Sequence, residues 1–138
     1  MEVTDEIVEK IQQANENEAL RLNEKLILWK EGSKYDLDVT NRQFDDLEKI
    51  LKENKDQQFY LIDLSLAKRP SPEVVQLIEK RTKKVNKRFN HVAVYTGGNH
   101  IMYIGIKFYF IRFDFPSYSA HRKLSSALNS FSRWKPTK

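Results

Sequence analysis

Phe59-Tyr60-Leu61-Ile62-Asp63-Leu64 is a nearly continuous apolar run whose one charge, Asp63, lies near its end. A strand with one wet face alternates apolar and polar residues. This run does not alternate, so it reads as a strand covered on both faces. His91-Val92-Ala93-Val94-Tyr95-Thr96 is a second run of the same kind. Parallel strands need a crossover between them, so the residues joining these runs are expected to hold a helix.

The start of that helix is marked in the sequence. The loop Ala67–Pro72 carries two prolines, with Ser71 placed to cap and Pro72 to take the first helical position. Val75, Ile78, Thr82, Val85 and Phe89 recur at helical spacing, which predicts a helix from Ser71 to about Phe89. Lys80, Arg81, Lys83, Lys84, Lys87 and Arg88 cover the rest of it, and cations near its end oppose the helix dipole.

Upstream of the central run, Phe44, Leu47, Ile50 and Leu51 recur at steps of three and four. Thr40 and Gln43 have capping-box spacing, and Val39 and Phe44 have hydrophobic-staple spacing. A helix starting at Thr40 is therefore expected, ending in the polar stretch Asn54–Gln57. Ala19–Trp29 reads as a hairpin turning at Asn23-Glu24 and closed by Gly32-Ser33. Ile7, Val8 and Ile11 form a short apolar stripe after Thr4 or Asp5. That stripe suits either a helix docked on the domain or a partly frayed arm.

Downstream, Gly97-Gly98 marks a hinge or tight turn. Ile101–Phe113 is apolar or aromatic almost throughout, interrupted by Gly105, Lys107 and Arg112. Periodicity does not separate helix from strand here. The aromatics favour a strand; length and the alternating order favour a helix. A short strand near Tyr118–His121 follows. Leu124, Ala127, Leu128, Phe131 and Trp134 share the face of a last helix, which Pro136 stops. The order predicts an α/β fold with a mixed sheet of about five strands, an opening hairpin, and helices following the later strands. The 138 residues suit one domain, spanning 18–135, preceded by an N-terminal helical arm over 1–17.

Composition narrows the chemistry. There is no cysteine, which excludes thiol catalysis, disulfides, iron–sulfur clusters and Cys-ligated zinc. His91, His100 and His121 have no metal-site spacing, so neither a metal nor a cofactor is expected. No stretch is apolar and long enough for a signal peptide or membrane span, and the expected compartment is the cytoplasm. The net charge of +5 hides a division. Met1–Leu66 holds 16 acidic and 9 basic side chains, whereas Ala67–Lys138 holds 3 acidic and 15 basic. Such polarity serves a nucleic-acid surface, an acidic partner or self-association, or else two halves of one fold neutralise each other.

The order of elements resembles the STAS, or SpoIIAA-like, domain, above all the small bacterial STAS-like proteins of the SEC14-like type. Several stretches carry the resemblance. A hairpin rich in Leu and Trp leads to Tyr35-Asp36-Leu37-Asp38, which opens the first long helix. Phe59–Ser65 resembles the central strand that ends in Asp-Leu/Ile-Ser. Ser71-Pro72-Glu73 starts the next helix, His91-Val92-Ala93-Val94 resembles the following strand, and Ser125-Ser126-Ala127-Leu128 up to Trp134 resembles the closing helix. The likeness covers roughly Glu18 to Lys135. It rests on apolar patterns rather than fixed catalytic residues. Members that antagonise anti-sigma factors carry an Asp-Ser-Ser-Gly-like element whose serine is phosphorylated. Here Ser71 lies near that place, without the acidic residue before it or the glycine after it, so the resemblance makes it a candidate regulatory phosphosite that its capping role also explains. The closing helix has Lys123 and Ser125-Ser126 where acidic residues are usual.

No catalytic signature stands out. Asp36 and Asp38 precede a helix, where negative charge is favourable for its own sake. Asp45 and Asp46 are expected in solvent. Asp63 and Ser65 sit where α/β sheets place sites, at the carboxyl end of a strand. Asp63 also suits a second role, accepting hydrogen bonds from the next loop. Gly97, Gly98 and Asn99 suit an anion-binding turn but lack the spacing of a phosphate or dinucleotide loop. His91 and His121 read as packing or surface groups. Lys80, Lys83, Lys84 and Lys87 form a basic face over helix 71–89 without a recognition pattern for nucleic acid. If Ile101–Phe113 is helical, its uncovered side, with Ile101, Ile104, Phe108 and Ile111, would form an interface or line an apolar pocket. The leading expectation is a non-enzymatic STAS-like interaction module, regulatory and self-associating as a homodimer or bound to a protein partner. The alternative is a binding protein for an apolar, lipid-like or an anionic small ligand. Weak nucleic-acid binding ranks third.

Overall fold

Five strands lie in sequence order across one sheet: β1 (Glu18–Arg21), β2 (Leu26–Lys30), β3 (Gln58–Asp63), β4 (Phe89–Tyr95) and β5 (Tyr118–His121). The computed structural model describes residues 1–136. β1 runs antiparallel to β2, and every later neighbour pair is parallel. The hairpin closes because Leu22 N and Asn23 N both donate to Leu26 O, while Asn23 Oδ1 accepts from Lys25 N at 2.8 Å. The helices are α1 (Asp5–Gln13), α2 (Leu37–Glu53), α3 (Pro72–Lys83), α4 (His100–Phe113) and α5 (Leu124–Arg133).

Each crossover moves the chain one strand further in the same direction. Crossovers of a single hand then leave α2, α3 and α4 on one face of the sheet. The core agrees. Ile27, Trp29, Tyr60, Ile62, Val92 and Val94 pack with Phe44 and Leu47 of α2 and Ile106 and Phe110 of α4. Leu26, Leu28, Phe59, Leu61 and Ala93 face the other way, onto Ile7 and Ile11 of α1 and Leu128 and Phe131 of α5. Alternate residues of β3 thus meet two different apolar layers, which is why Phe59–Leu64 shows no alternation. Helix α1 is docked on the sheet, with Thr4 Oγ1 accepting from Ile7 N.

Two expectations change and one open reading is settled. The first long helix begins not at Thr40 but a turn earlier: Asp36 is the cap, its Oδ1 accepting from Val39 N at 2.9 Å. Thr40 is buried in the first turns, and Gln43 Nε2 instead bridges Glu18 O and Lys30 O, tying α2 to the hairpin. The next helix ends at Lys83 rather than Phe89. Val85 starts a short 3-10 turn over Asn86–Arg88, and Phe89 opens β4, where its ring stacks on Tyr60 with centroids 4.3 Å apart. Val85 and Phe89 are buried as the stripe suggests, but from a turn and a strand. Ile101–Phe113 is a helix, as a parallel β4–β5 pair requires. Asp114, at φ 57°, ends it, and Asn86 Nδ2 donates to Phe113 O and Asp114 O.

The two differently charged halves meet between α2 and α3. Arg81 of α3 reaches Asn41, Asp45 and Glu48 of the acidic α2. Arg88 donates to Leu51 O, Asn54 O and Asp56 O at the end of α2, supplying partners to carbonyls a helix end leaves free. Among the described residues no helix is long and apolar enough to cross a membrane.

Candidate functional site

The carboxyl ends of β3 and β4 meet in a clasp. Asp63 Oδ1 accepts from Ser65 N at 2.9 Å and from Ser65 Oγ at 2.7 Å. Asn99 Oδ1 accepts from Met102 N and caps α4, while its Nδ2 donates to Leu64 O at 3.2 Å and Ala67 O at 2.8 Å. One side chain therefore fixes both α4 and the loop after β3. Gly97 has φ +58°, and a Cβ there would lie 3.2 Å from Ser65 Cβ, so the tight approach needs glycine. At Gly98 a Cβ would meet nothing within 4 Å. Asp63, Ser65, Gly97 and Asn99 are thus brought together, with the Asp63 and Ser65 side chains bonded to each other and the Asn99 amide spent on Met102 N, Leu64 O and Ala67 O. Ser71 Oγ accepts from Val74 N at 3.3 Å as the cap of α3. It also borders a shallow depression beside Lys34, Lys68 and Arg69.

Helix α4 has two apolar faces. Ile106, Phe110 and Phe113 are buried against the sheet. Ile101, Ile104, Phe108 and Ile111 are 81, 65, 73 and 71% exposed and form one outer stripe. The space between α4 and the sheet is lined by Met102, Tyr109 and Phe113, since those are the side chains turned inward. Ile101, Ile104 and Phe108 instead border an outer groove of about 320 Å³ shared with Arg69 and Pro70.

The inner cavity measures about 70 Å³ and also touches Glu31 and Tyr35. Glu31 is 4% exposed. Trp29 Nε1 donates to its Oε2, and Oε1 has no partner among the described residues. Burial pushes the carboxyl up to about 7, against the opposing pull of the Trp29 hydrogen bond. Burial, together with the neighbouring Glu31, pushes the Tyr35 phenol well above its usual range. Its hydroxyl donates to Lys68 O. Glu31 lies just past β2, at the strand end where sites are expected; in sequence it stands between Lys30 and Gly32, and nothing local marks its burial.

The basic face is corrected too. Lys80 and Lys83 belong to α3, Lys84 is its C-cap, and Lys87 lies in the 3-10 turn, so the four do not share one helix. All four are exposed. Lys83 is paired with Glu79 at 3.2 Å.

An open pocket of about 340 Å³, bordered mainly by His, Ser, Asn and Arg residues, lies on the opposite face of the sheet, between α5 and the β4–β5 edge. His91 Nδ1 lies 2.7 Å from Ser117 Oγ and His91 Nε2 2.9 Å from Ser119 Oγ, which in turn lies 2.6 Å from His121 Nε2. Burial, then the charge of His121, pushes His91 down to about 4. Burial also lowers His121. Nothing in the sequence pairs these two histidines, which stand far apart along the chain. The β4–β5 register, with Ala93 opposite Ser119 and Tyr95 opposite His121, is what assembles them. Among the described residues no group of three His, Asp or Glu is arranged to hold a metal ion. No protein-family model matches this chain, and no curated protein or solved structure does.

Proposed function

We propose that the protein is a STAS-like, non-enzymatic interaction module that pairs with a second copy of itself through the outer face of α4. The observation that carries this reading is the exposed stripe Ile101, Ile104, Phe108 and Ile111. It is symmetric along the helix. Ile104 and Phe108 lie equally far from Ile106, and so do Ile101 and Ile111. Two antiparallel copies of α4 related by a two-fold axis would set Ile104 against Phe108 and Ile101 against Ile111 of the other copy, as a self-complementary patch requires. The four side chains expose on the order of 600 Å² of apolar surface, at the upper end of what monomers leave uncovered. A pair that covered all of it would bury about 1,200 Å² in all, the lower end of the stable range. The mixed five-stranded sheet and its opening hairpin support the STAS-like part of the reading.

Light scattering across a concentration series tests it. A dimer that Phe108→Asp converts to a folded monomer is the expected result. A wild-type protein that stays monomeric at high concentration sinks the reading.

A second reading rests on the inner cavity, where Glu31 Oε1 has no partner and the walls are otherwise mainly apolar. It is a site for a small, largely apolar ligand carrying one hydrogen-bonding group. Native mass spectrometry that finds no co-purified small molecule rejects it.

A further inference from the structure

Hydrogen counting in the Ser117–His91–Ser119–His121 chain leaves one hydrogen with no internal acceptor. Ser119 Oγ has one hydrogen and sits between two imidazole nitrogens. It donates to one ring and accepts from the other. When it donates to His91 Nε2, the His91 proton is on Nδ1 and goes to Ser117, whose own hydrogen is left over. When it donates to His121 Nε2, the order reverses and the spare hydrogen is on His121 Nδ1. With neutral rings the chain therefore always has one more hydrogen than its internal bonds use, and that hydrogen moves between the two ends.

The rest of the pocket wall is donor-rich. Ser126, Asn129 and the Arg133 guanidinium line it beside the Trp134 ring, and no carboxylate does among the described residues. Ser130 Oγ is already spent on Ala127 O at 2.6 Å. Arg133 lies in the last turn of α5, where its charge offsets the negative helix end that would otherwise repel an anion.

We propose that this pocket binds the tetrahedral oxyanion of a small ligand, a phosphate or sulfate group, with Arg133 supplying charge and the histidine–serine chain supplying a hydrogen that relocates to meet it. Hydrolysis by Ser119 fits less well, because burial leaves both rings weak bases. His121 from β5 and Arg133 from α5 are the charged and titratable groups that face His91 across the pocket. A bound anion opposes the depression of both histidines, so binding draws a proton onto the chain and donors then point out at both ends.

Histidine side-chain NMR on the full chain tests this with sulfate, whose charge is constant near neutral pH, against chloride at matched ionic strength. Sulfate is expected to shift His91 and His121 saturably while leaving His100 unmoved, and to bind more tightly as pH falls. Arg133 is exposed, so Arg133→Gln should fold normally and weaken binding about tenfold or more. Ser119→Ala, with its fold checked by circular dichroism, breaks the link between the two rings and should weaken sulfate binding. Equal shifts with chloride, no shift, or binding unchanged in Arg133→Gln each overturn the proposal.

Discussion

Trp29 Nε1 donates to Glu31 Oε2 at 3.0 Å, and this bond leaves the other carboxyl oxygen buried without a partner among the described residues. The pair ties the end of β2 to the cavity beneath α4 and α3. A carboxyl so placed holds its proton more tightly folded than unfolded. Between pH 4.5 and about 7 the folded state therefore binds the extra proton. Stability from this group is complete below pH 4.5, declines as pH rises through that window, and is constant above it. The loss at pH 8 is on the order of 3 kcal/mol. Glu31→Gln keeps an acceptor for Trp29 and removes the titration. Urea unfolding should show the variant more stable than wild type at pH 8 and no longer so at pH 4.5. Parallel pH profiles for the two proteins would contradict this.

His91 gives the opposite slope. Its folded value of about 4 lies below the ordinary 6.5, so the unfolded chain binds the extra proton between them. The stability it contributes is complete above pH 6.5 and is lost as pH falls toward 4. In the wild type the two slopes oppose each other. His91→Asn should therefore show a steeper loss of stability with rising pH between 4.5 and 6.5 than wild type shows. His121, also lowered, retains part of the acid-side slope. A variant profile superimposable on wild type would remove His91 from the account.

The two pH-active groups were the part of the molecule least legible in sequence. The strand runs, the hairpin and the presence of α2, α3 and α5 follow from patterns local to each element. Glu31 owes its properties to α4 and the loop after β3, which are distant in sequence. The His–Ser chain owes its existence to the β4–β5 register, although the alternation Ser117, Ser119, His121 along β5 and its approach was a usable signal. The misplaced start of α2 has a local cause: two capping patterns overlapped, and the carboxylate of Asp36 won over the hydroxyl of Thr40. The end of α3 misled because Val85 and Phe89 are buried at helical spacing without being helical. α4 defeated periodicity because both its faces are apolar and only one is covered.

The two faces of α4 should separate in mutational cost. Phe110 is buried among Phe113, Phe115 and Tyr118, and Phe110→Ala is expected to cost about 3–5 kcal/mol. Phe108 is mostly exposed, so Phe108→Ala should change monomer stability by about 0.5 kcal/mol or less. Denaturant unfolding at low protein concentration measures both. At high concentration a Phe108 effect that grows with concentration reports the dimer, because association stabilises only the folded chain. Similar costs for both residues at low concentration would mean that the outer face is covered within one chain.

Asn99 makes two separable contributions, and two substitutions divide them. Asn99→Asp keeps an oxygen for Met102 N, so the cap of α4 survives, but it loses the donor to Leu64 O and Ala67 O. Leu64 O keeps its bond from Ala67 N, but Ala67 O is left without a donor, at a cost of about 1–3 kcal/mol. Asn99→Ala loses the cap as well, for about 1 kcal/mol more. Hydrogen exchange distinguishes the two directly. The Met102 amide should stay protected in Asn99→Asp and exchange faster in Asn99→Ala, while the loop from Leu64 to Pro70 should loosen in both. If the loop stays protected in Asn99→Asp, the side-chain amide is not what holds it to α4.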